Sequence, residues 1–252
     1  LLDAHDPPFA LKETAFPSNG SSMRLHQQRP LLLSESEHLR SMPLSADVAR
    51  RLLAVGAVQL RPHDPFTWAS GLLSPIYCDN RIAFSCPQVR DFLKEALRER
   101  AKEFAPFDAI AGVATAGIAP AVLLADALQL PFAYVRSQAK THGLRNRIEG
   151  VLQSGQRVLL IEDLVSTGGS SLSAAEVLQE AGCTVVGVLA IFQYGLEKAT
   201  TAFMAKGIPL QTLTDYPALL REATSAGYID EQDLHLLEQW RQDPDGWGAL
   251  YA

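Results

Sequence analysis

Two adjacent carboxylates, Glu162 and Asp163, stand between an apolar run and a hydroxyl-rich turn, Leu164-Val165-Ser166-Thr167-Gly168-Gly169-Ser170-Ser171. The run before them, Arg157 to Ile161, reads as a buried strand, and Ser170 to Glu180 has helical spacing. A strand that feeds a Gly-Gly turn and then a helix aims backbone N–H groups at one place. The helix N-terminus adds roughly half a positive charge there, so an anion, most often phosphate, is favoured. Gly168 and Gly169 let the backbone approach it closely. The two acids would repel that phosphate and must face something else, either sugar hydroxyls or a hydrated Mg2+ ion. A sugar phosphate lying along the turn satisfies both halves. A plain strand–helix turn with a capping serine accounts for Thr-Gly-Gly alone, but poorly for the acids and hydroxyls together. No Gly-Lys-Ser/Thr follows the glycines and no Gly-x-Gly-x-x-Gly occurs, which excludes a Walker loop and a dinucleotide fingerprint.

A second group of reactive side chains lies just upstream. Arg136, Lys140, His142, Arg145 and Arg147 crowd a glycine-containing stretch between two strand candidates. A solvated surface loop is the usual fate of such a charge run. Here the stretch immediately precedes the phosphate-turn strand and reads as about 15 residues without structure of its own, as lids do. Together these features imply an anionic partner.

The elements that must position these groups alternate along the chain. Strand candidates at Ala109–Ala114, Phe132–Val135, Arg157–Ile161, Thr184–Phe192 and Leu210–Leu213 are separated by helices at 119–127, 170–180 and 196–205. This order predicts a parallel sheet with helices on both faces. Helical spacing also covers 89–104, a cap at 44–47 precedes Val48, and Asp230 caps a last helix running to about Trp240. Residues 1–42 are rich in proline and small polar residues and are expected to be a disordered extension. The chain opens on Leu1, with Met23 and Met42 as alternative starts.

Composition narrows the function further. The 252 residues are 47% hydrophobic and carry a net charge of −6, which suits a globular protein and argues against a broad nucleic-acid surface. The most apolar region, 110–128, is broken by Pro120 and Asp126, so no membrane span is expected. Cys78, Cys86 and Cys183 have no paired spacing, which points to a reducing, cytoplasmic setting rather than a disulfide framework or a zinc site.

The run from Val158 to Ser171 resembles the phosphoribosyl-diphosphate signature of type I phosphoribosyltransferases. The resemblance implies that family's α/β fold, a central parallel sheet flanked by helices with a small N-terminal hood. It implies Glu162 and Asp163 on the ribose hydroxyls and residues 166–170 around the 5′-phosphate, with Leu164, Val165, Ser166, Thr167, Gly168, Gly169 and Ser170 lining the sugar phosphate. The basic stretch resembles the catalytic loop of orotate phosphoribosyltransferases, matching at Arg136, Lys140, His142, Gly143, Ile148, Glu149 and Gly150. By that resemblance Lys140 and His142 act across a homodimer interface, Arg136 holds the diphosphate from its own subunit, and Mg2+ is the cofactor. No protein-borne metal cluster is expected.

Residues 65–71 and 74–81 resemble the family's hood, and 112–118 its diphosphate loop; taken singly, these read as a proline-rich turn and as tight helix–sheet packing. The resemblance spans about 44–247, with the hood at about 43–85, the core at 86–215 and C-terminal helices at 216–245. Ala69, Ala116 and Gln193-Tyr194 stand where many orotate enzymes have basic residues, and the pattern instead resembles the Gram-positive bacterial branch. Leu73 stands where that branch commonly has lysine. Ser166 is the transferred orotate contact, with Arg81 a second. The expected reaction makes orotidine 5′-phosphate in pyrimidine (UMP) biosynthesis. Two other readings share the phosphate turn: a phosphoribosyltransferase for a purine, and a regulator that only senses phosphoribosyl diphosphate.

Overall fold

The computed structural model describes residues 43–68, 71–137 and 147–251, with Leu250 by its backbone alone. The expected extension at 1–42, Ala69 and Ser70 of the hood, and Lys140, His142, Gly143 and Arg145 of the basic stretch lie outside the described residues.

The elements in chain order are α1 (Leu44–Ala54), β1 (Val58–Leu60), β2 (Phe66–Thr67), β3 (Leu73–Ser74), β4 (Ile76–Cys78), α2 (Arg81–Phe84) and α3 (Pro87–Ala101). There follow β5 (Ala109–Val113), α4 (Ile118–Leu128), β6 (Phe132–Val135), β7 (Ile148–Gly150), β8 (Arg157–Val165) and α5 (Gly169–Glu180). The last are β9 (Thr184–Gln193), α6 (Glu197–Lys206), β10 (Leu210–Asp215), α7 (Tyr216–Ser225) and α8 (Glu231–Gln242).

The central sheet has six strands in the order β10-β9-β8-β5-β6-β7. Every pair is parallel except β6 and β7, which run antiparallel with Val135 opposite Ile148. From β5 the chain winds outward to β6; from β8 it winds the other way, to β9 and β10. The strand order therefore reverses between β5 and β8, and the crevice beyond their carboxyl ends is where an open α/β sheet binds ligand.

Alternation along the buried strands gives the sheet two apolar faces. Leu159 and Ile161 of β8 join Ile110, Leu189 and Ile191 in a core with α1, α3, α4 and α7. Val158 and Leu160 join Ala109, Ala111, Val188 and Ala190 in a second core with α5 and α6. All four of these β8 side chains are fully buried. At about 1.5–3 kcal/mol for each large apolar side chain, this burial is the main force fixing the strand in place.

Several boundaries differ from the periodicity. β8 runs on through Glu162 and Asp163 to Val165 because β9 keeps pairing with it, Glu162 opposite Ala190 and Leu164 opposite Phe192. The acids therefore sit inside a strand rather than after one. At 44–47, Pro43 is the N-cap position and no side chain caps the helix; Asp47 lies in the first turn and binds Arg51 Nε at 2.9 Å. Helix α7 opens the C-terminal helices expected at about 216–245; Asp215 accepts from Ala218 N–H at 2.9 Å and Pro217 occupies the first turn. Asp230 caps α8 as expected, in a capping box with Asp233.

Candidate active site

At the carboxyl end of β8 the two acids touch one another but have different further partners. Glu162 turns toward α5 and is 4% exposed. Its Oε2 accepts from the hydroxyls of Ser170 at 3.2 Å and Ser171 at 3.1 Å, and its Oε1 accepts from Asp163 N–H at 3.1 Å. Burial and the neighbouring Asp163 carboxylate outweigh those hydrogen bonds and push the Glu162 carboxyl up to about 8. The Asp163 carboxyl reaches the Glu162 carboxyl through a side-chain hydrogen bond, lies near Cys78 and Arg81 of the small segment around β1–β4, and is only partly buried. Burial raises its carboxyl too, while the hydrogen bond from Glu162, and after it backbone hydrogen bonds and the charge of Arg81, pull the other way.

That segment is tied to β8 through one fully buried side chain. Asn80 donates from Nδ2 to the Asp163 carbonyl at 2.8 Å. Its neighbours carry charge around the same place. Arg81 binds Asp79 in a two-pronged pair, Nε to Oδ1 and Nη2 to Oδ2, both at 2.7 Å. Arg81 thus stands near Asp163 with its guanidinium already engaged. The Cys78 thiol beneath is pushed well up by burial and by Asp163 and Asp79.

The turn after β8 has the conformation an anion cradle requires. Gly168 has φ of +83°, and a Cβ there would lie 2.8 Å from the Phe203 ring of α6. Leu172 N–H donates to the Gly168 carbonyl at 3.0 Å, the start of the helical ladder. The N–H groups of Gly169, Ser170 and Ser171 precede that first internal bond and point out of the helix end. Ser166, Thr167, Gly169 and Ser170 are partly or fully exposed around it.

Across the crevice, β5 ends in the turn Ala114–Gly117 before α4. A Cβ on Gly117 would fall 2.7 Å from the carbonyls of both Val113 and Ile161, so this turn is drawn tightly against β8. Close packing accounts for that glycine, and it also brings the two turns to one crevice, with Thr115 at its lip.

The described ends of the basic stretch meet at the sheet edge. Arg136 N–H donates to the Arg147 carbonyl at 2.8 Å, and Arg147 Nε donates back to the Arg136 carbonyl at 2.9 Å. Arg136 Nη1 lies 3.4 Å from Glu149 Oε1, and Arg147 Nη2 donates to Ser173 Oγ of α5 at 3.1 Å. The stretch expected to lie free between two strands is therefore anchored at both ends by an antiparallel strand pair. The short strand β7 was missed because three residues ending in glycine carry no readable period.

An aromatic cluster packs in the core beyond β9. Tyr194 contacts Trp68 and Trp240 with centroids at 5.7 and 5.4 Å, and Tyr216 packs on Trp240 at 5.5 Å. A cavity of about 420 Å3 between α7 and α8 is lined by Tyr216, Leu220, Arg221, Leu234, Glu238 and Arg241, and none of the sequence-predicted site residues borders it.

Comparison with known proteins agrees with this geometry. The phosphoribosyl transferase domain matches residues 86–207, from α3 to the residue after α6. Orotate phosphoribosyltransferase of Bacillus caldolyticus is 53% identical over 204 residues, which are 81% of this chain and 98% of that protein. The chain belongs to the orotate phosphoribosyltransferase family. Among solved structures, orotate phosphoribosyltransferase from Aeropyrum pernix is similar with a TM-score of 0.63 and 29% identity, over 73% of this chain and 99% of that one. Leishmania donovani UMP synthase gives a TM-score of 0.67 at 27% identity over 78% of this chain, which spans 42% of the UMP synthase chain. The Gram-positive pattern read in the hood and turn residues fits the Bacillus relative and also Listeria monocytogenes orotate phosphoribosyltransferase, 49% identical over 208 residues, 82% of this chain and all of that protein.

Proposed function

We propose that this chain transfers ribose 5-phosphate from phosphoribosyl diphosphate to orotate, giving orotidine 5′-phosphate and diphosphate in pyrimidine biosynthesis. The observation that carries the reading is the sorting of groups at the carboxyl end of β8. The N–H groups of Gly169, Ser170 and Ser171, which have no partner within the helix, would take the 5′-phosphate. Asp163, the more exposed of the two acids and beside Arg81, would take ribose hydroxyls. Glu162, withdrawn under the turn, would brace Ser170 and Ser171 around that phosphate.

In the reaction the orotate ring nitrogen forms a bond to C1′, the bond from C1′ to the diphosphate oxygen breaks, and the ring proton is released. Charge grows on the leaving diphosphate. Arg136, with Lys140 and His142 from the partner subunit of a homodimer, would stabilise it electrostatically. His142 either balances that charge or gives it a proton. Ser166 and Arg81 would contact orotate. Among the described residues no group of three or more His, Cys, Asp or Glu side chains could hold a metal ion. A Mg2+ ion would be held largely by substrate oxygens and water, with Asp163 a carboxylate at hand. Bound there, Mg2+ supplies charge neutralisation for the diphosphate. Among the described residues no helix is long and apolar enough to cross a membrane. The three cysteines are free, which supports a reducing, cytoplasmic setting.

The test is orotate consumption, followed by its ultraviolet absorbance, with phosphoribosyl diphosphate and Mg2+ beside parallel reactions with uracil, adenine and hypoxanthine. Turnover of orotate alone is expected, falling about 100-fold or more in Lys140→Ala, as for loss of one transition-state donor. Turnover with another base would discard the orotate assignment and keep the phosphate site. Silence with every base would favour a sensor of the sugar phosphate.

A further inference from the structure

Arg147 is a basic residue of the 134–150 stretch that the proposed chemistry does not use, yet its hydrogen bonds join separate parts of the site. Its Nε donates to the Arg136 carbonyl at 2.9 Å, and its Nη2 donates to Ser173 Oγ at 3.1 Å. Its own carbonyl accepts from Arg136 N–H at 2.8 Å. Arg136 is thus gripped by both its backbone groups from one partner, and that partner is pinned to the second turn of α5. The first turn of the same helix is held through Ser170 and Ser171 by Glu162. The two acceptors of the Arg147 fork are neutral oxygens on separate elements, a geometry that a planar guanidinium can bridge and an ammonium point charge bridges poorly. The Arg136 guanidinium itself lies 3.4 Å from Glu149, and both of those side chains are about one-third exposed, so it keeps access to an anion.

We propose that Arg147 is a positioning residue: it clamps the backbone of Arg136 to α5, so that the Arg136 guanidinium stands at a fixed distance from the phosphate turn at the start of that helix. The distance between a cation for the diphosphate and a cradle for the 5′-phosphate is what a ligand carrying both groups would read. This inference rests on the role given to Arg136 in the preceding reading. It does not depend on which base is the acceptor.

The probes are inorganic diphosphate and phosphoribosyl diphosphate, titrated calorimetrically with Mg2+ into the full chain. Arg147→Gln is expected to weaken both by about tenfold and to raise the KM for phosphoribosyl diphosphate in step, with the KM for orotate unchanged, because a misplaced positioning group costs one to two orders of magnitude. Ser173→Ala removes one arm of the clamp and is expected to act in the same direction by about threefold, which keeps the test alive should Arg147→Gln fold poorly. Arg147→Lys should restore less than half of the lost affinity on a logarithmic scale. The double variant Arg136→Gln/Arg147→Gln should bind diphosphate no more weakly than Arg136→Gln alone, since both changes remove the same contact. Wild-type affinity in both Arg147→Gln and Ser173→Ala would overturn the proposal. So would additive losses in the double variant, which would place Arg147 itself on the ligand, or an Arg136→Gln variant that binds as wild type. A chain that ignores orotate but still shows the non-additive pattern would sink the orotate reading and uphold the clamp.

Discussion

The two ends of β8 treat their acids in opposite ways. At the amino end, Asp108 meets Arg157 through three bonds: from its backbone N–H at 2.9 Å, from Nε at 3.0 Å and from Nη2 at 2.6 Å. The guanidinium and the N–H hold the Asp108 carboxyl down to about 2. At the carboxyl end, Glu162 and Asp163 sit side by side, and burial raises both. The first arrangement joins β5 to β8 and is complete in itself. The second crowds two carboxyls next to a turn whose first N–H groups have no partner within the helix, and a ligand bearing phosphate and hydroxyls would complete it. In a strand buried on both faces, acids paired within the protein mark framework, and acids crowded without a dedicated cation mark the place where chemistry is done.

The largest effect that would sharpen this contrast is expected at the turn. Gly168→Val forces a branched side chain into φ of +83° and against Phe203. It should cost about 3 kcal/mol in urea unfolding and at least about tenfold in phosphoribosyl diphosphate affinity. Wild-type stability in the Gly168→Val variant would contradict the conformation described.

Glu162 should leave a signature in the pH dependence of stability. Its folded-state value is raised, so between about 4.3 and about 8 the folded chain binds the proton that the unfolded chain has released. Stability from this group therefore falls as pH rises through that window, by on the order of 1 kcal/mol per unit. Glu162→Gln should flatten the decline in urea denaturation at pH 5, 6.5 and 8. An unchanged slope would mean that Glu162 is ionised throughout.

The smallest effect belongs to the framework end, with the opposite sign. Asp108 is depressed, so its contribution is present above about pH 4 and is lost as pH falls toward about 2. Asp108→Asn should make the acid side of the melting-temperature profile shallower and leave turnover at pH 7 within about twofold, as expected of a change away from the reacting groups. A large loss of turnover would erase the distinction between the two ends.

Much of this was legible in the residues. The apolar runs of β5, β8 and β9 are long enough to declare themselves, and the Thr-Gly-Gly turn and Asp230 cap have chemical signals of their own. The different partners of Glu162 and Asp163 were not legible, because they depend on β8 remaining a strand beyond Ile161, which pairing with β9 decides. The clamp at Arg147 was hidden for a related reason: in sequence it is one more cation in a basic run, and only the β6–β7 pairing brings it back onto Arg136 and α5. The start of helix α7, within the C-terminal helices expected at about 216–245, is marked by Asp215 and Pro217, a cap and a first-turn proline. Lys140 and His142 lie outside the described residues, and their roles rest on the family resemblance.

The central claim is that the carboxyl end of β8 recognises the sugar phosphate. Its most direct test is calorimetric titration of phosphoribosyl diphosphate, with Mg2+, into wild type, Asp163→Asn and Asp108→Asn. We expect Asp163→Asn to weaken binding at least about tenfold, since it removes a charged acceptor from the ribose hydroxyls, while Asp108→Asn binds as wild type. Equal affinity in all three proteins, or loss confined to Asp108→Asn, would contradict the account.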